Sequence, residues 1–264
     1  MIAVGTECYS LGSTPSIGSG RSWNDEELEE AINGEVSALV FDDTGRAEIE
    51  ELLAGVAGTA FEQQQLAQAL ASPDSIEDWR VGEAIAETYL TEHRGCRFPW
   101  PDGRDERKSG SSLPGADLVG IQHEGDDSRF AFGEVKTSAE ATYPPGALYG
   151  RTGLKQQLDD LRDKAEIRDD LFKYLGHRAK GAPWLEDFKA ATKRYLNNKS
   201  DVQLFGVLVR DVVPNQEDLR VRVTKLARRC PQGTSIELLA LYLPPQSVST
   251  LATKALATRS GDST

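Results

Sequence analysis

The sequence of 264 residues has no long apolar run and only three cysteines. A helix that crosses a membrane needs about 20 consecutive apolar residues, so we do not expect membrane contact. Met1 is not followed by a basic segment and a long apolar segment, and secretion is therefore not expected either. Cys8, Cys96 and Cys230 are scattered, which argues against a disulfide framework and a structural zinc knuckle. We expect a cytoplasmic protein.

The first third of the chain has almost no basic residues. Residues 1–93 contain 19 acidic residues against three arginines, whereas residues 94–264 contain 23 acidic and 27 basic residues. The net charge of −12 argues against a general nucleic-acid binder, because phosphate contacts need a cationic surface. The asymmetry along the chain instead indicates nucleic-acid contact on one side and an interaction or repelling face on the other. Solvated helix faces would also explain it.

The sequence pattern of the first third of the chain predicts an acidic α/β segment over residues 1–73, which packs on a core. Small and polar residues indicate a loop, acidic caps indicate helix starts, and a short apolar run indicates a strand. The elements predicted on these grounds are a loop at 10–22, helices at 24–33, 46–54 and 58–71, and a strand at 38–41.

The core is predicted over residues 74–250, followed by a C-terminal tail at 251–264. Apolar periodicity, turn residues and continuous apolar runs predict its elements. They are a helix at 75–92, an irregular loop at 94–115, a β-hairpin with strands at 117–121 and 129–137, helices at 153–175 and 183–196, a buried strand at 202–209, a basic helix at 215–229, a strand at 236–243 and a helical tail. The order predicts an α/β fold.

The predicted hairpin carries the residues with the clearest chemistry. Asp117 begins one strand, and Glu134 and Lys136 lie on one face near the end of the next, because side chains alternate along a strand. Two neighbouring carboxylates repel each other, and a divalent cation such as Mg²⁺ relieves this repulsion. A lysine beside the ion can orient the attacking water and offset charge in the transition state. The pattern is typical of a site for phosphodiester hydrolysis.

Gly115-Ala116-Asp117 followed by Glu134-Val135-Lys136 resembles the PD-(D/E)XK nuclease superfamily, the restriction-endonuclease-like proteins. The chain departs from the name-giving motif at Ala116, where that motif has proline. The resemblance implies a central mixed sheet flanked by helices and a metal-dependent endonuclease acting on DNA. It also implies that Asp117 and Glu134 hold Mg²⁺, with Mn²⁺ as a substitute, and that Lys136 is the catalytic lysine.

The same resemblance implies two further site residues and a partner. Glu83, in a Gly-Glu context on the preceding helix, would be a third metal ligand, and Gln157 would be an accessory residue supporting the lysine or the phosphate. The layout resembles small nuclease subunits of bacterial antiphage systems, in particular the Hachiman type. That implies control by a protein partner such as a helicase or ATPase.

Several alternatives remain open from the residues themselves. Glu134 and Lys136 could form only a salt bridge on a strand, since exposed pairs of this kind are common. A basic cluster is either a DNA contact or a solvated helix face; its members are Arg220, Arg222, Lys225, Arg228 and Arg229. The whole chain could be a non-catalytic interaction protein that docks a partner through its acidic segment. It could also be a metal-dependent hydrolase unrelated to DNA.

Overall fold

The computed structural model describes residues 1–71, 73–99, 115–125 and 127–260, and its centre is a mixed sheet of seven strands. The strand order is β1-β2-β7-β6-β5-β4-β3. The strands are β1 (Thr6–Ser13), β2 (Ser16–Ser22), β3 (Cys96–Arg97), β4 (Leu118–Glu124), β5 (Asp127–Ser138), β6 (Val202–Arg210) and β7 (Ser235–Tyr242). Helices flank the sheet, so the predicted α/β architecture with a central mixed sheet is confirmed.

The helices cover both faces of the sheet, and the sheet separates two apolar clusters. They are α1 (Asp25–Ala31), α2 (Ser37–Val40), α3 (Asp43–Leu52), α4 (Ala60–Ala69), α5 (Asp78–Arg94), α6 (Leu154–Asp163), α7 (Ala165–Ala179), α8 (Leu185–Asn197), α9 (Arg220–Ala227) and α10 (Leu251–Ser260). The first cluster joins α1, α5 and α10 to the sheet, and the second joins α6, α7, α8 and α9 to its other face. Each face is covered, as parallel strands require.

The centre of the sheet follows the prediction from sequence closely. Every residue of β6 is buried, because helices cover both of its faces, and this explains the continuous apolar run. β6 pairs in parallel with β5 and β7, whereas β4 and β5 form an antiparallel hairpin. The predicted hairpin and the predicted buried strand are both confirmed.

The loop predicted at 10–22 is wrong, because these residues form most of the hairpin β1–β2. β2 pairs in parallel with β7 and joins the hairpin to the central sheet. Its glycines make room for side chains that lie over the backbone. A Cβ atom on Gly18 would lie 2.6 Å from Val223, and one on Gly20 would lie 2.3 Å from Tyr9. Glycine here permits close packing and does not mark a loop.

The strand predicted at 38–41 is also wrong, since the chain there forms helix α2. α2 follows α1 through a π-helical segment, Ile32–Val36. Leu39 and Val40 pack against the first apolar cluster. A run of four apolar residues does not distinguish a strand from a buried helix turn.

The single helix predicted at 153–175 is two helices, α6 and α7, separated at Lys164. The backbone of Lys164 is extended. The buried Arg168 donates hydrogen bonds from Nη1 to the carbonyl oxygens of Leu161, at 2.5 Å, and Arg162, at 2.8 Å. These bonds satisfy acceptors at the end of α6 that a continuous helix would have satisfied.

Parts of two predictions lie outside the described residues. The irregular loop predicted at 94–115 includes β3, and its residues 100–114 are not described; the same holds for 261–264 of the tail. The earlier part of the tail is helix α10, which packs against α5. Within the described ranges, none of the helices combines the length and the apolar character that crossing a membrane requires.

Candidate functional site

The pairing of β4 with β5 brings the three predicted catalytic residues together. Leu118 lies opposite Gly133, so Asp117, one residue earlier, falls opposite Glu134 in this antiparallel register. Val135 belongs to the first apolar cluster, and its neighbours Glu134 and Lys136 therefore point to the other face of the sheet.

Lys136 contacts both carboxylates. Its Nζ donates a hydrogen bond to Oε1 of Glu134 and lies 3.8 Å from Oδ2 of Asp117. The backbone amide of Val135 donates to the same Asp117 oxygen at 2.8 Å. The predicted placement of the three side chains on one face is confirmed. Their catalytic and metal-binding roles stay a prediction.

The electrostatics of the site are dominated by the burial of Glu134. Its side chain is 3% exposed, and burial, with the nearby charge of Asp117, raises the pKa of Glu134 to about 8. Burial lowers the pKa of Lys136, but attraction from Asp117 and Glu134 outweighs it and the pKa is raised overall. The site without a metal therefore holds excess negative charge that a cation or a proton can neutralise.

A cavity of about 590 Å³ opens beside these residues. One wall is α5, with Trp79 and Glu83, and the opposite wall is the connection from β5 to α6. The other lining residues are Asp117, Val135, Lys136, Thr137, Ser138, Glu140, Gly146, Ala147, Tyr149, Thr152 and Gly153. The volume is within the usual range for binding sites of small molecules or single nucleotides.

Gly82 allows α5 to approach β5 at this cavity. A Cβ atom at this position would lie 2.0 Å from Oγ1 of Thr137, far inside van der Waals contact. The Gly-Glu pair on α5 thus has a steric reason: the glycine lets the helix pack closely enough for the next residue, Glu83, to reach the cavity wall.

Glu83 lines the cavity, but the structure does not assemble a three-carboxylate site. Its Oε2 lies 3.5 Å from Nη1 of Arg80, and α5 covers the face of the sheet opposite to the one that carries Glu134. Among the residues that the structure describes, no group of three His, Cys, Asp or Glu side chains is arranged to hold a metal ion.

The donors that are present nevertheless fit a hard cation. Asp117 and Glu134 offer carboxylate oxygens, and Mg²⁺ commonly binds through one or two carboxylates while keeping several waters. These two side chains are the residues that would hold it, and the repulsion that raises the pKa of Glu134 is what a cation would relieve.

Two other predicted elements lie away from the cavity. The half-buried Gln157, on α6, is not among the described residues that line it. Helix α9 packs on β1 and β2, and β7 and β6 separate these strands from β5. The basic cluster is therefore not part of the cavity wall.

The arginines of this cluster differ in their burial and in their ion pairs. Arg222 is buried, at 5% exposure, so its guanidinium is withheld from a duplex, contrary to its assignment as a nucleic-acid contact. Arg220 is paired with Glu217 at 2.7 Å. Arg228 and Arg229 are exposed and remain available for contact with phosphates.

The sequence analysis missed several residues of the cavity wall. Trp79, Tyr149, Thr137 and Glu140 all line it, and Tyr149 is 51% exposed. Thr137 follows Lys136 directly, which is a usable signal. Tyr149 and Glu140 lie in a connection whose path depends on contacts with β6, so no local pattern marks them.

That connection is held by a buried arginine at the end of β6. Nη2 of Arg210 donates hydrogen bonds to the carbonyl oxygens of Glu140 and, at 3.1 Å, Thr142. Its Nη1 donates to Asp218 at 2.6 Å, and both side chains are fully buried. The hydroxyl of Tyr242 donates to the other oxygen of Asp218 at 2.8 Å.

A comparison with protein-family models found no match for the chain. A comparison with curated proteins also found no match.

Proposed function

We propose that the protein is a metal-dependent nuclease that hydrolyses phosphodiester bonds of DNA. The observation that supports it is the contact of Lys136 with both Asp117 and Glu134 at the edge of a cavity of about 590 Å³. A buried carboxylate beside a partly buried one, with an ammonium group in reach of both, is a donor set that suits this chemistry.

Each residue of the site would have a separate role in this reaction. A bound Mg²⁺ would polarise the phosphoryl group and stabilise the leaving oxygen. Asp117 and Glu134 supply oxygen ligands. Val135 fixes the orientation of Asp117 through its backbone amide. The ammonium of Lys136 stands where it can donate a hydrogen bond to a phosphoryl oxygen and offset the charge that develops there.

Control by a protein partner, in a bacterial antiphage system, is part of the same proposal. The negative first third of the chain disfavours spontaneous binding to DNA, and a partner that holds DNA would overcome this. A helicase or another ATPase would fit this role.

The test is cleavage of plasmid DNA by the purified full chain with Mg²⁺ or Mn²⁺. We expect Glu134→Gln and Lys136→Met each to lower the rate by about a hundredfold or more, because each removes a group that acts on the transition state. Glu186→Gln and Lys189→Met are matched controls, since Glu186 and Lys189 form an exposed ion pair at 2.7 Å on α8.

Cleavage that survives in both site variants would contradict the proposal. Cleavage of RNA of the same sequence, with DNA left intact, would reassign the substrate. If neither metal supports cleavage of any nucleic acid, and a partner captured from the native host does not restore it, the result would favour a non-catalytic interaction protein that docks a partner through its acidic segment.

A further inference from the structure

The two helices α3 and α4 form an exposed projection, here called the α3–α4 hairpin, which comprises residues 43–69. Helix α4 buries none of its ten residues, and the only fully covered residue of α3 is Gly45. The hairpin contributes no described residue to the wall of the candidate catalytic cavity.

Large apolar side chains are exposed along this hairpin. Leu52 is 78% exposed, Val56 71%, Phe61 69% and Ile49 44%. Beside them lies a groove of about 250 Å³, whose walls include Leu53, Val56, Phe61 and Leu66. Single exposed apolar residues are ordinary, but a contiguous patch that lines a groove is typical of an interaction surface.

Hydrogen bonds at the helix starts stabilise α3 and α4 individually, and Arg259 of α10 donates a hydrogen bond to Asp43 of α3 at 2.8 Å. Thr59 caps α4: its backbone amide donates to Oε2 of Glu62 at 2.8 Å, and the amide of Glu62 donates to Oγ1 of Thr59 at 3.2 Å. Asp42 caps α3 through Gly45. Local hydrogen bonds of this kind stabilise helix ends, so the first turn of α4, which carries Phe61 and Glu62 of the groove wall, is stabilised locally.

The net charge of the hairpin indicates the class of occupant. Residues 42–71 contain six acidic residues and one basic residue, Arg46. Glu48, Glu50 and Glu51 are all exposed on α3. A second copy of the chain would bring the same negative charge against it, which is unfavourable. A basic partner would be attracted by these acidic residues and by Glu62 in the groove wall, and it would bury the apolar side chains of the groove.

We propose that the α3–α4 hairpin is a docking surface for a basic amphipathic helix of a partner protein. The apolar face of that helix enters the groove beside Val56 and Phe61, and its lysines or arginines face the acidic residues of the hairpin, among them Glu62 in the groove wall. This is the helix-in-groove mode of recognition. The inference stands whether or not the cavity proves to be a nuclease site.

The probe is a labelled synthetic peptide of about 18 residues, or about five helical turns. Its leucines follow the i, i+3, i+4, i+7 spacing and lysines occupy its other face. A second peptide has the same composition with the leucines redistributed. Binding of each to the full chain is measured by fluorescence anisotropy. We expect the amphipathic peptide to bind at least about tenfold more tightly than its scrambled form, because only the amphipathic peptide has a continuous apolar face that fits the groove.

The Val56→Ser/Phe61→Ser double variant should weaken binding of the amphipathic peptide by about tenfold or more, since both side chains line the groove. Leu196→Ser is the matched control, because Leu196 is an apolar residue that is 64% exposed on α8, and it should leave affinity unchanged. If circular dichroism shows that the double variant misfolds, the single variant Phe61→Ser replaces it with the same expectation.

Three results would overturn the proposal. The first is no binding of the amphipathic peptide. The second is equal affinity, either of the wild-type chain for the two peptides or of the wild-type chain and the double variant for the amphipathic peptide, which would show attraction by charge alone. The third is self-association of the wild-type chain, measured by light scattering, that the double variant loses. In that case the occupant would be a second copy.

Discussion

At the scale of one residue, burial determines the pKa of the Glu134 carboxyl group. The carboxyl is nearly inaccessible to water and lies beside a second carboxyl and an ammonium group. Burial and the negative charge of Asp117 outweigh the attraction of Lys136, so the pKa of Glu134 rises to about 8. The metal-free protein therefore favours a protonated Glu134 at neutral pH, and this has a consequence for stability.

We expect the metal-free protein to lose stability as the pH rises from about 4.5 to about 8. In this window the unfolded chain releases the Glu134 proton while the folded protein retains it, because the folded pKa is the higher one. The free energy of unfolding contributed by this group therefore falls with pH and levels off above the folded pKa. Urea denaturation with EDTA at a series of pH values measures it.

The Glu134→Gln variant is the comparison for this prediction, since glutamine does not titrate. Its stability relative to wild type should increase across the same window. Adding Mg²⁺ should stabilise wild type more at pH 9 than at pH 5, because the ion binds the charged form. A difference between variant and wild type that does not change with pH would refute the assignment of the buried titration to Glu134.

Gly82 is a residue whose role is steric. An exposed glycine in a helix is usually improved by alanine, but here the added Cβ would meet Thr137 at 2.0 Å. We expect Gly82→Ala to destabilise the protein by about 1–3 kcal/mol and to lower the proposed nuclease activity by moving α5 from the cavity. Urea denaturation and plasmid cleavage measure the two effects.

Gly176→Ala on α7 is the graded control for that experiment. Its Cβ would lie 3.2 Å from the ring tip of Phe188, a contact that a small side-chain movement relieves. Equal losses in the two variants, or a gain in stability for Gly82→Ala, would show that α5 is not held against β5 in the way described.

At the scale of elements, the buried pair Arg210–Asp218 ties the end of β6 to the segment that precedes α9. The same guanidinium holds the connection from β5 to α6, which forms one wall of the cavity. Neither side chain is accessible to water, so removing one partner leaves an uncompensated buried charge.

We therefore expect Asp218→Ala to destabilise the protein by about 3–5 kcal/mol, measured as the free energy of unfolding in urea. Glu217→Ala is the control, because Glu217 pairs with Arg220 at the surface and its loss should change stability by no more than about 0.5 kcal/mol. Similar losses in both would mean that water reaches Asp218.

The same scale shows where local sequence patterns were insufficient. Residues 10–22, which form most of the hairpin β1–β2, are rich in Gly and Ser and therefore predict a loop, yet β2 is held by seven paired positions with β7. Those partners are more than 200 residues away in the chain, and no window of local sequence contains them. The break between α6 and α7 depends on Arg168 reaching back to α6.

For the whole molecule, the uneven charge distribution is the main feature. The hairpin β1–β2 is part of the central sheet, so deleting the acidic first third would remove two strands as well as the charge. Substitution on the α3–α4 hairpin is therefore the better test of whether the acidic segment repels DNA.

We expect Glu48→Gln/Glu50→Gln/Glu51→Gln to bind DNA several-fold more tightly than wild type at low salt, because three exposed negative charges are removed. The difference should shrink as salt is raised, since the charges are screened. Anisotropy with labelled DNA, in Ca²⁺ to hold back cleavage, measures it. The matched Asp variant keeps the charge and should behave like wild type; equal binding by all three proteins would contradict a repelling role.

The sequence by itself determined the α/β class, the β4–β5 hairpin and the choice of Asp117, Glu134 and Lys136, because alternation along a strand and the register of a short hairpin are local properties. Only the tertiary structure decided which side chains share the cavity with them. It placed Glu83 on the wall without completing a metal cluster, buried Arg222, and joined β1–β2 to β7. Each of these depends on contacts between segments far apart in the chain, where packing and burial, not local pattern, set the outcome.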